Sequence, residues 1–493
     1  GMNDNEKPVV IYVPGIYAST LSRKRSGSNT WISRVNDLFS SEWDLPWTLL
    51  ISFFKGNRGH LNLSLPITWS KDTETGYQKQ DKDDIYASDI LYFTQGKMMD
   101  FLRDLDKNDL IELQTIPWDW RRGLEEAEQK VSKRLERICK SKYAEDGVGV
   151  RRIILASHST GSALCWPTVN AHPELFDSWV SIAGCTTGSN SLFGNLRDGW
   201  KKSFIQLLGK EALFTFPTIV SYNRLPSEEF CGQGDSDFVA NTDGADVDKM
   251  TDEYDCNGVR TDHPHIFLPM DVIDTYKLKD WKRFKLGIYG WKSEQGKDVT
   301  DAERIHLENS LASAKRFREA HFARDGKCRS DDAFLQRNRK EYDHIDLVCY
   351  GSDSFQTHSA YMVKLGEKDE SGQSTGTVDV SKSFLTTSGD ETLWTADWIT
   401  LPGNLNVDVV YAESGSTHIA MVNDDKLLNL LATKFFSQSH VHDRAMQIMQ
   451  KDREKRSSSK KKKHFYIASG IGLASIAAVF FKQVSSLLRG KSD

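Results

Sequence analysis

"RRIILASHSTGSALCWP", residues 151–167, decides how this chain is read. The apolar run Ile153 to Ala156 ends in Ser157-His158-Ser159-Thr160-Gly161 and passes into a helix-like stretch. A G-x-S-x-G turn between a strand and a helix holds its serine on a sharp elbow, exposed for nucleophilic attack. Here the second glycine is Gly161, and Ser157 stands in place of the first. Strand and helix pass close together at such a turn, so both flanking positions need small residues, and serine is small enough. Alone, S-x-S-x-G is also how many buried strands end. The rest of the chain has to separate the two readings.

The flanking sequence alternates strands and helices. "PVVIYVPG" (8–15) is an apolar run stopped by Pro14-Gly15, as a strand buried on both faces should be. "MMDFLRDLDKNDL" (98–110) and "LEEAEQKVSKRLERICKSKY" (124–143) carry helical spacing. "IELQT", "RRIILAS" and "FDSWVSIAG" read as further strands. The alternation over 8–190 implies an α/β fold with a mostly parallel sheet covered on both faces. Residues 30–54, "TWISRVNDLFSSEWDLPWTLLISFF", are aromatic without clean periodicity and read as an early lid insertion or a membrane-facing loop. Residues 191–340 are polar and irregular and read as a cap inserted between sheet strands. Core strands return over 341–440 with "HIDLVCYGS" and "LNVDVVYAES", before the helix "DDKLLNLLATKFF". "DKDD" (81–84) and "KDESGQSTG" (368–376) read as solvated loops.

Bulk composition narrows the function. A chain of 493 residues holds two or three domains, or one heavily inserted one, and its 39% apolar content fits a folded protein. A net charge of −5 argues against a nucleic-acid partner. The seven cysteines are odd in number and scattered, which predicts reduced thiols in a cytosolic compartment rather than a disulfide framework. The polar opening "GMNDNEKPVV" runs straight into a strand, so no secretory signal is expected. A basic linker over 441–463 leads to a candidate anchor over 464–482, uncharged from about Phe465 to Phe481 and with basic residues on both sides. That stretch approaches the ~17–25 residues that span a bilayer, and Lys460 to Lys463 suit anionic headgroups. A C-terminal anchor on the cytosolic face of a membrane is the expectation; a last packed helix or a disordered tail is the alternative.

A serine nucleophile needs a histidine base and an orienting carboxylate, in the order serine, acid, histidine on an elbow of this kind. Downstream, Asp390 lies in a Gly-Asp loop after a Ser/Thr run, and His418 lies after a strand and before a helix. Asp353, in "LVCYGSDSF", is the competing acid, and Asp390 is preferred. His440 and His442 fall beyond the last core helix and read as surface residues. The oxyanion formed on attack needs two backbone amides. Thr160 offers one at the start of the helix, and Ile16, after the Pro-Gly turn of the first strand, offers the other.

"YVPGIYASTL", "IPWDWRRG", "ASHSTG", "SIAGCTTGS", "YGSDSFQT" and "SGDETLW", followed by His418, occur in an order that resembles the lecithin:cholesterol acyltransferase family, with its lysosomal phospholipase/transacylase and phospholipid:diacylglycerol acyltransferase relatives. Pro117 to Arg122 is similar to that family's Pro-Tyr-Asp-Trp-Arg signature and is far more specific than the serine motif. The resemblance covers roughly 9–435 and implies an α/β-hydrolase fold working on acyl lipids. By the same match Ser159, Asp390 and His418 form the triad, Ile16 and Thr160 line the oxyanion hole, and no cofactor or metal is required. Three departures stand out: Ser157 for glycine, Gly-Asp-Glu-Thr-Leu for the usual Gly-Asp-Gly-Thr-Val, and no cysteine before Cys139 to staple the early lid. Asp119 and Arg121 of the signature read as a buried ion pair. Trp31, Trp43, Trp47, Phe53 and Phe54 read as packing or as an interfacial surface for acyl chains.

The expected function is therefore a membrane-associated serine lipid acyl hydrolase of phospholipase A type, or an acyltransferase sharing its acyl-enzyme. Its expected partners are a phospholipid or other acyl lipid and the membrane surface. The alternatives are a non-catalytic lipid-binding scaffold on the same fold and a soluble esterase of a non-lipid ester.

Overall fold

A computed structural model describes residues 7–24, 63–140, 151–186, 188–189, 210–222, 265–267, 274–322, 339–355, 357–368, 374–386, 389–393, 395–399, 401, 405–436, 441–451 and 454. The aromatic stretch 30–54, most of the polar stretch 191–273 and the candidate anchor 464–482 lie outside them. Among the described residues no helix is long and apolar enough to cross a membrane.

In chain order the elements are β1 (Val9–Val13), β2 (Ser19–Arg23), β3 (Trp69–Lys71), β4 (Gln78–Gln80), β5 (Ile85–Ile90), α1 (Tyr92–Lys107), β6 (Glu112–Thr115) and α2 (Leu124–Cys139). Then come β7 (Ile153–His158), α3 (Thr160–Ala171), β8 (Ser178–Ile182), α4 (Lys210–Phe214), α5 (Pro217–Val220), β9 (His265–Phe267), α6 (Leu278–Arg283), α7 (Ile288–Glu294) and α8 (Asp301–His321). The last are β10 (Asp346–Gly351), β11 (Thr357–Lys368), β12 (Ser374–Thr386), α9 (Thr395–Trp398), β13 (Asp408–Tyr411) and α10 (Asp425–Leu430). The chain divides into two compact units, residues 1–427 and 428–493.

The first unit is an α/β structure on a six-stranded sheet in the order β13-β10-β8-β7-β1-β6. Every pairing in it is parallel. Every residue of β1, β7 and β8 is buried, which is why their sequences are apolar runs and not alternations. The edge strands β6 and β13 are only partly covered. From β1 the chain steps out to β6 and then returns to β7 on the other side of β1. This reversal opens a crevice beyond the carboxyl ends of β1 and β7, where open parallel sheets place ligands.

The signature loop clamps this end of the sheet. Arg121 is wholly buried and bonds Asp119 at 2.7 and 2.9 Å, as the sequence leads one to expect. It also bonds Asp83 at 2.6 Å and the Leu63 carbonyl at 3.1 Å, and Arg122 reaches Asp83 at 3.2 Å. Asp83 belongs to "DKDD", which is therefore no mere solvated loop. Burial opposes ionisation of Asp83, yet Arg121 and Arg122 outweigh it and hold the carboxyl below its usual range. Trp118 Nε1 donates to the Pro14 carbonyl at 2.8 Å, tying the loop to the turn after β1. Arg121→Met takes away the buried cation that Asp119 and Asp83 share and leaves both carboxylates to Arg122 alone. It should lower unfolding free energy by about 3–5 kcal/mol, read from urea denaturation.

The stretch 274–322 is helical, against the irregular reading of 191–340. Thr300 and Glu303 form a capping box that starts the 21-residue helix α8. Trp281, Phe284, Trp291, Leu307 and Leu311 bury one another in an apolar cluster of their own. Arg316 of α8 grips Glu125 of α2 in a bidentate pair at 2.7 and 2.8 Å, so this layer flanks the sheet. On α8, buried His306 accepts from Trp69 Nε1 through Nδ1 and donates to the Phe214 carbonyl through Nε2, both at 3.0 Å. The bond accepted from Trp69 needs the neutral ring, and burial lowers its pKa from 6.5 to about 4 against the pull of the Phe214 carbonyl. The unfolded chain then binds a proton that the folded one refuses, so stability is full above pH 6.5 and falls towards pH 4. Over that window His306 should contribute about 1.4 kcal/mol of loss per pH unit. The difference between wild type and His306→Gln in urea midpoints at pH 7 and pH 5 measures it.

A second, three-stranded sheet, β12-β11-β9, is antiparallel throughout. Its long hairpin β11–β12 incorporates Ser374 to Gly376, the end of the "KDESGQSTG" stretch read as a loop. In the unit 428–493, residues 441–451 are helical. His442 there is half-buried and donates from Nδ1 to the Ala432 carbonyl at 3.1 Å, so it is not a free surface residue. Of the seven cysteines, Cys139, Cys165, Cys185 and Cys349 are buried thiols that form no disulfide among the described residues.

Candidate active site

Ser159 sits between β7 and α3 with φ 52° and ψ −122°, a left-handed backbone that side chains rarely adopt. Its amide donates to the Ile182 carbonyl at 2.9 Å, and its carbonyl accepts from Ser162 and Cys185 at 3.0 and 3.1 Å. These bonds hold the strained turn. Gly161 admits no side chain, because a Cβ there would stand 2.4 Å from the Val13 carbonyl oxygen. Gly15 is confined too, though less tightly, with Ser159 Cβ 2.9 Å from where its own Cβ would be. The turn after β1 and the elbow after β7 thus touch backbone to backbone, which is what small residues at both places permit.

Ser157 does more than fit. Its hydroxyl accepts from buried Trp179 Nε1 at 2.8 Å and pairs with Ser162 Oγ at 2.8 Å, and Ser181 adds a bond to Ser162 at 3.0 Å. A glycine would leave the Trp179 N–H without this acceptor. The serine in place of glycine belongs to a buried hydroxyl cluster beneath the elbow.

His418 follows β13 and brings Nε2 to 2.9 Å from Ser159 Oγ. Its Nδ1 lies 2.7 Å from Asp390 Oδ2. Asp390 is fully buried, and its other oxygen accepts the amides of Thr392 and Leu393 at 2.9 and 2.6 Å. The His418 amide donates to the Asp390 carbonyl at 2.9 Å, so acid and base loops are joined through main chain as well. Gly389 is needed beside the acid, since a Cβ there would meet Thr357 Oγ1 at 2.1 Å. Asp353, the competing acid, is exposed. The three side chains come from loops 231 and 28 residues apart in sequence, by the positions 159, 390 and 418.

With Asp390 on Nδ1, the Nδ1–H tautomer is favoured, and Nε2 is left as an acceptor for the Ser159 proton. Ile16 lines the same cavity as Ser159 and His418. Thr160 is the first residue of α3, where helix amides have no intrahelical partner, and its hydroxyl pairs with buried Tyr222. The cavity encloses about 50 Å³, room for a few waters, between Ile16, Tyr17, Gln95, Tyr222, Leu393 and Ile419.

His158 is the site residue that sequence reasoning passed over. It is buried, its Nε2 donates to the His418 carbonyl at 3.0 Å, and the two rings lie 5.1 Å apart. Burial pushes its pKa down to about 3, with His418 adding to the shift, so it stays neutral while it braces the base from behind. The only signal in sequence was its place next to Ser159.

No family model matches the chain, and no curated protein matches it. Among solved structures it is similar to a Tle4–Tli4 complex, at 13% identity with a TM-score of 0.44, over 90% of this chain and 99% of that one.

Proposed function

We propose that this chain is a serine-dependent acyl hydrolase with an α/β-hydrolase arrangement, acting on phospholipid esters in the manner of a phospholipase A or a lipid acyltransferase. The observation that carries the reading is the unbroken hydrogen-bonded line from Ser159 through His418 to buried Asp390. Three groups of these types in these roles are what nucleophilic acyl transfer requires, and here they meet at the carboxyl ends of a parallel sheet.

In the proposed reaction His418 Nε2 takes the Ser159 proton as Oγ attacks the ester carbonyl. Asp390 holds the ring and stabilises the imidazolium. The amides of Ile16 and Thr160 receive the negative oxygen. The tetrahedral species collapses, His418 returns the proton to the departing alcohol, and an acyl-serine remains. Water or a lipid alcohol, deprotonated by His418, then takes the acyl group and frees Ser159. The lipid substrate class is supported by the sequence resemblance to the lecithin:cholesterol acyltransferase family and by the aromatic and C-terminal apolar stretches.

Lipid mass spectrometry on mixed phospholipid vesicles tests this reading, with wild type beside Ser159→Ala and with or without an added alcohol. Free fatty acid and lysophospholipid that vanish in the variant support hydrolysis, and an acylated alcohol formed at their expense supports transfer. Intact lipids across several head groups, together with unimpaired vesicle binding, would instead support the scaffold alternative.

A further inference from the structure

Gln95 brings to the cavity a polar atom that the catalytic line does not use. Gln95, on the first turns of α1, is fully buried and lines the same cavity as Ser159 and His418. The buried Tyr12 hydroxyl of β1 donates to Gln95 Oε1 and fixes which way the carboxamide points. Its Nε2 is left without a hydrogen-bond partner. A buried donor with no acceptor is costly, and its presence in a reacting cavity points to an acceptor that arrives with the substrate.

The placement of α1 says which part of the substrate. Asn423, five residues past His418, donates to the Thr94 carbonyl at 3.0 Å and accepts from the Lys97 amide at 2.9 Å. Gln95 therefore sits on the wall tied to the His418 loop, and His418 is the group that hands a proton to the leaving alcohol. The acyl oxygen belongs to the Ile16 and Thr160 amides.

We propose that Gln95 is a specificity-determining residue, its Nε2 donating a hydrogen bond to an acceptor oxygen on the alcohol portion of the ester. This rests on the hydrolase reading above. The oxygen belongs to a glycerol-based alcohol, as a second ester carbonyl or as a phosphate oxygen. A site built around a buried donor rejects substrates that lack the acceptor, because the donor is then left unpaired.

Three soluble esters test it: phenyl hexanoate, dihexanoylglycerol and dihexanoylphosphatidylcholine. Gln95→Glu keeps an oxygen for Tyr12 and removes the donor, and Gln95→Met, of similar length, removes both. In each variant kcat/KM on the phospholipid should fall at least about tenfold further than on phenyl hexanoate, equivalent to about 1.4 kcal/mol. The same excess loss on dihexanoylglycerol assigns the second ester as acceptor, and its absence there assigns the phosphate; either supports the proposal. Equal losses on all three esters, or no loss, overturn it while leaving the hydrolase reading intact. Wild type that cleaves none of the three overturns the hydrolase reading and the proposal with it.

Discussion

Ser159→Ala is expected to lower ester hydrolysis by about 10⁴–10⁶-fold, because the nucleophile, base and acid act as one unit and losing the first disables all three. The substitution removes one oxygen from a side chain that is buried against His418, and leaves the main-chain bonds of the elbow untouched. Its urea unfolding midpoint should therefore stay close to that of wild type. Initial rates on a chromogenic hexanoate ester, measured alongside the unfolding curve, separate lost chemistry from lost structure. A variant that keeps its fold and more than about a hundredth of the rate would place the nucleophile elsewhere.

The second large effect separates two acids that sequence alone leaves in competition. Asp390→Asn should cost about 10⁴-fold in kcat, since an asparagine amide facing Nδ1 favours the tautomer that cannot accept the Ser159 proton. Asp353→Asn, at an exposed position, should leave the rate within about twofold. A reversed pair of results would mean that the acid is supplied from the end of β10, against the 2.7 Å bond between Asp390 and His418.

The pattern in sequence carried as far as the buried parallel strands. Val9–Val13 and Ile153–His158 are covered on both faces, and such strands announce themselves as apolar runs. The elbow, the Gly-Asp loop and the histidine after the last strand were legible because each is a local arrangement with a turn residue beside it. The β11–β12 hairpin was not, since a strand outside the main sheet can be rich in Ser, Thr and Lys, and "STGTVDVSKSFLT" has no apolar run. Asp83 could not be found either. It meets Arg121 across 38 residues, and no spacing rule links them. Ser157 reads in sequence as a tolerated small residue, whereas its hydroxyl holds Trp179 and Ser162. Contacts of that kind arise only when β7, α3 and β8 are brought side by side.

Intact-protein mass spectrometry after exposure to 4-nitrophenyl ethyl hexylphosphonate tests the central claim most directly. Attack by an activated serine releases 4-nitrophenol and leaves a stable phosphonate ester on Oγ, a mimic of the tetrahedral species. One adduct per chain is the predicted result, mapped by peptide sequencing to Ser159 and lost in both Ser159→Ala and His418→Ala. No adduct on folded protein, or an adduct that persists at another residue in Ser159→Ala, would contradict the account.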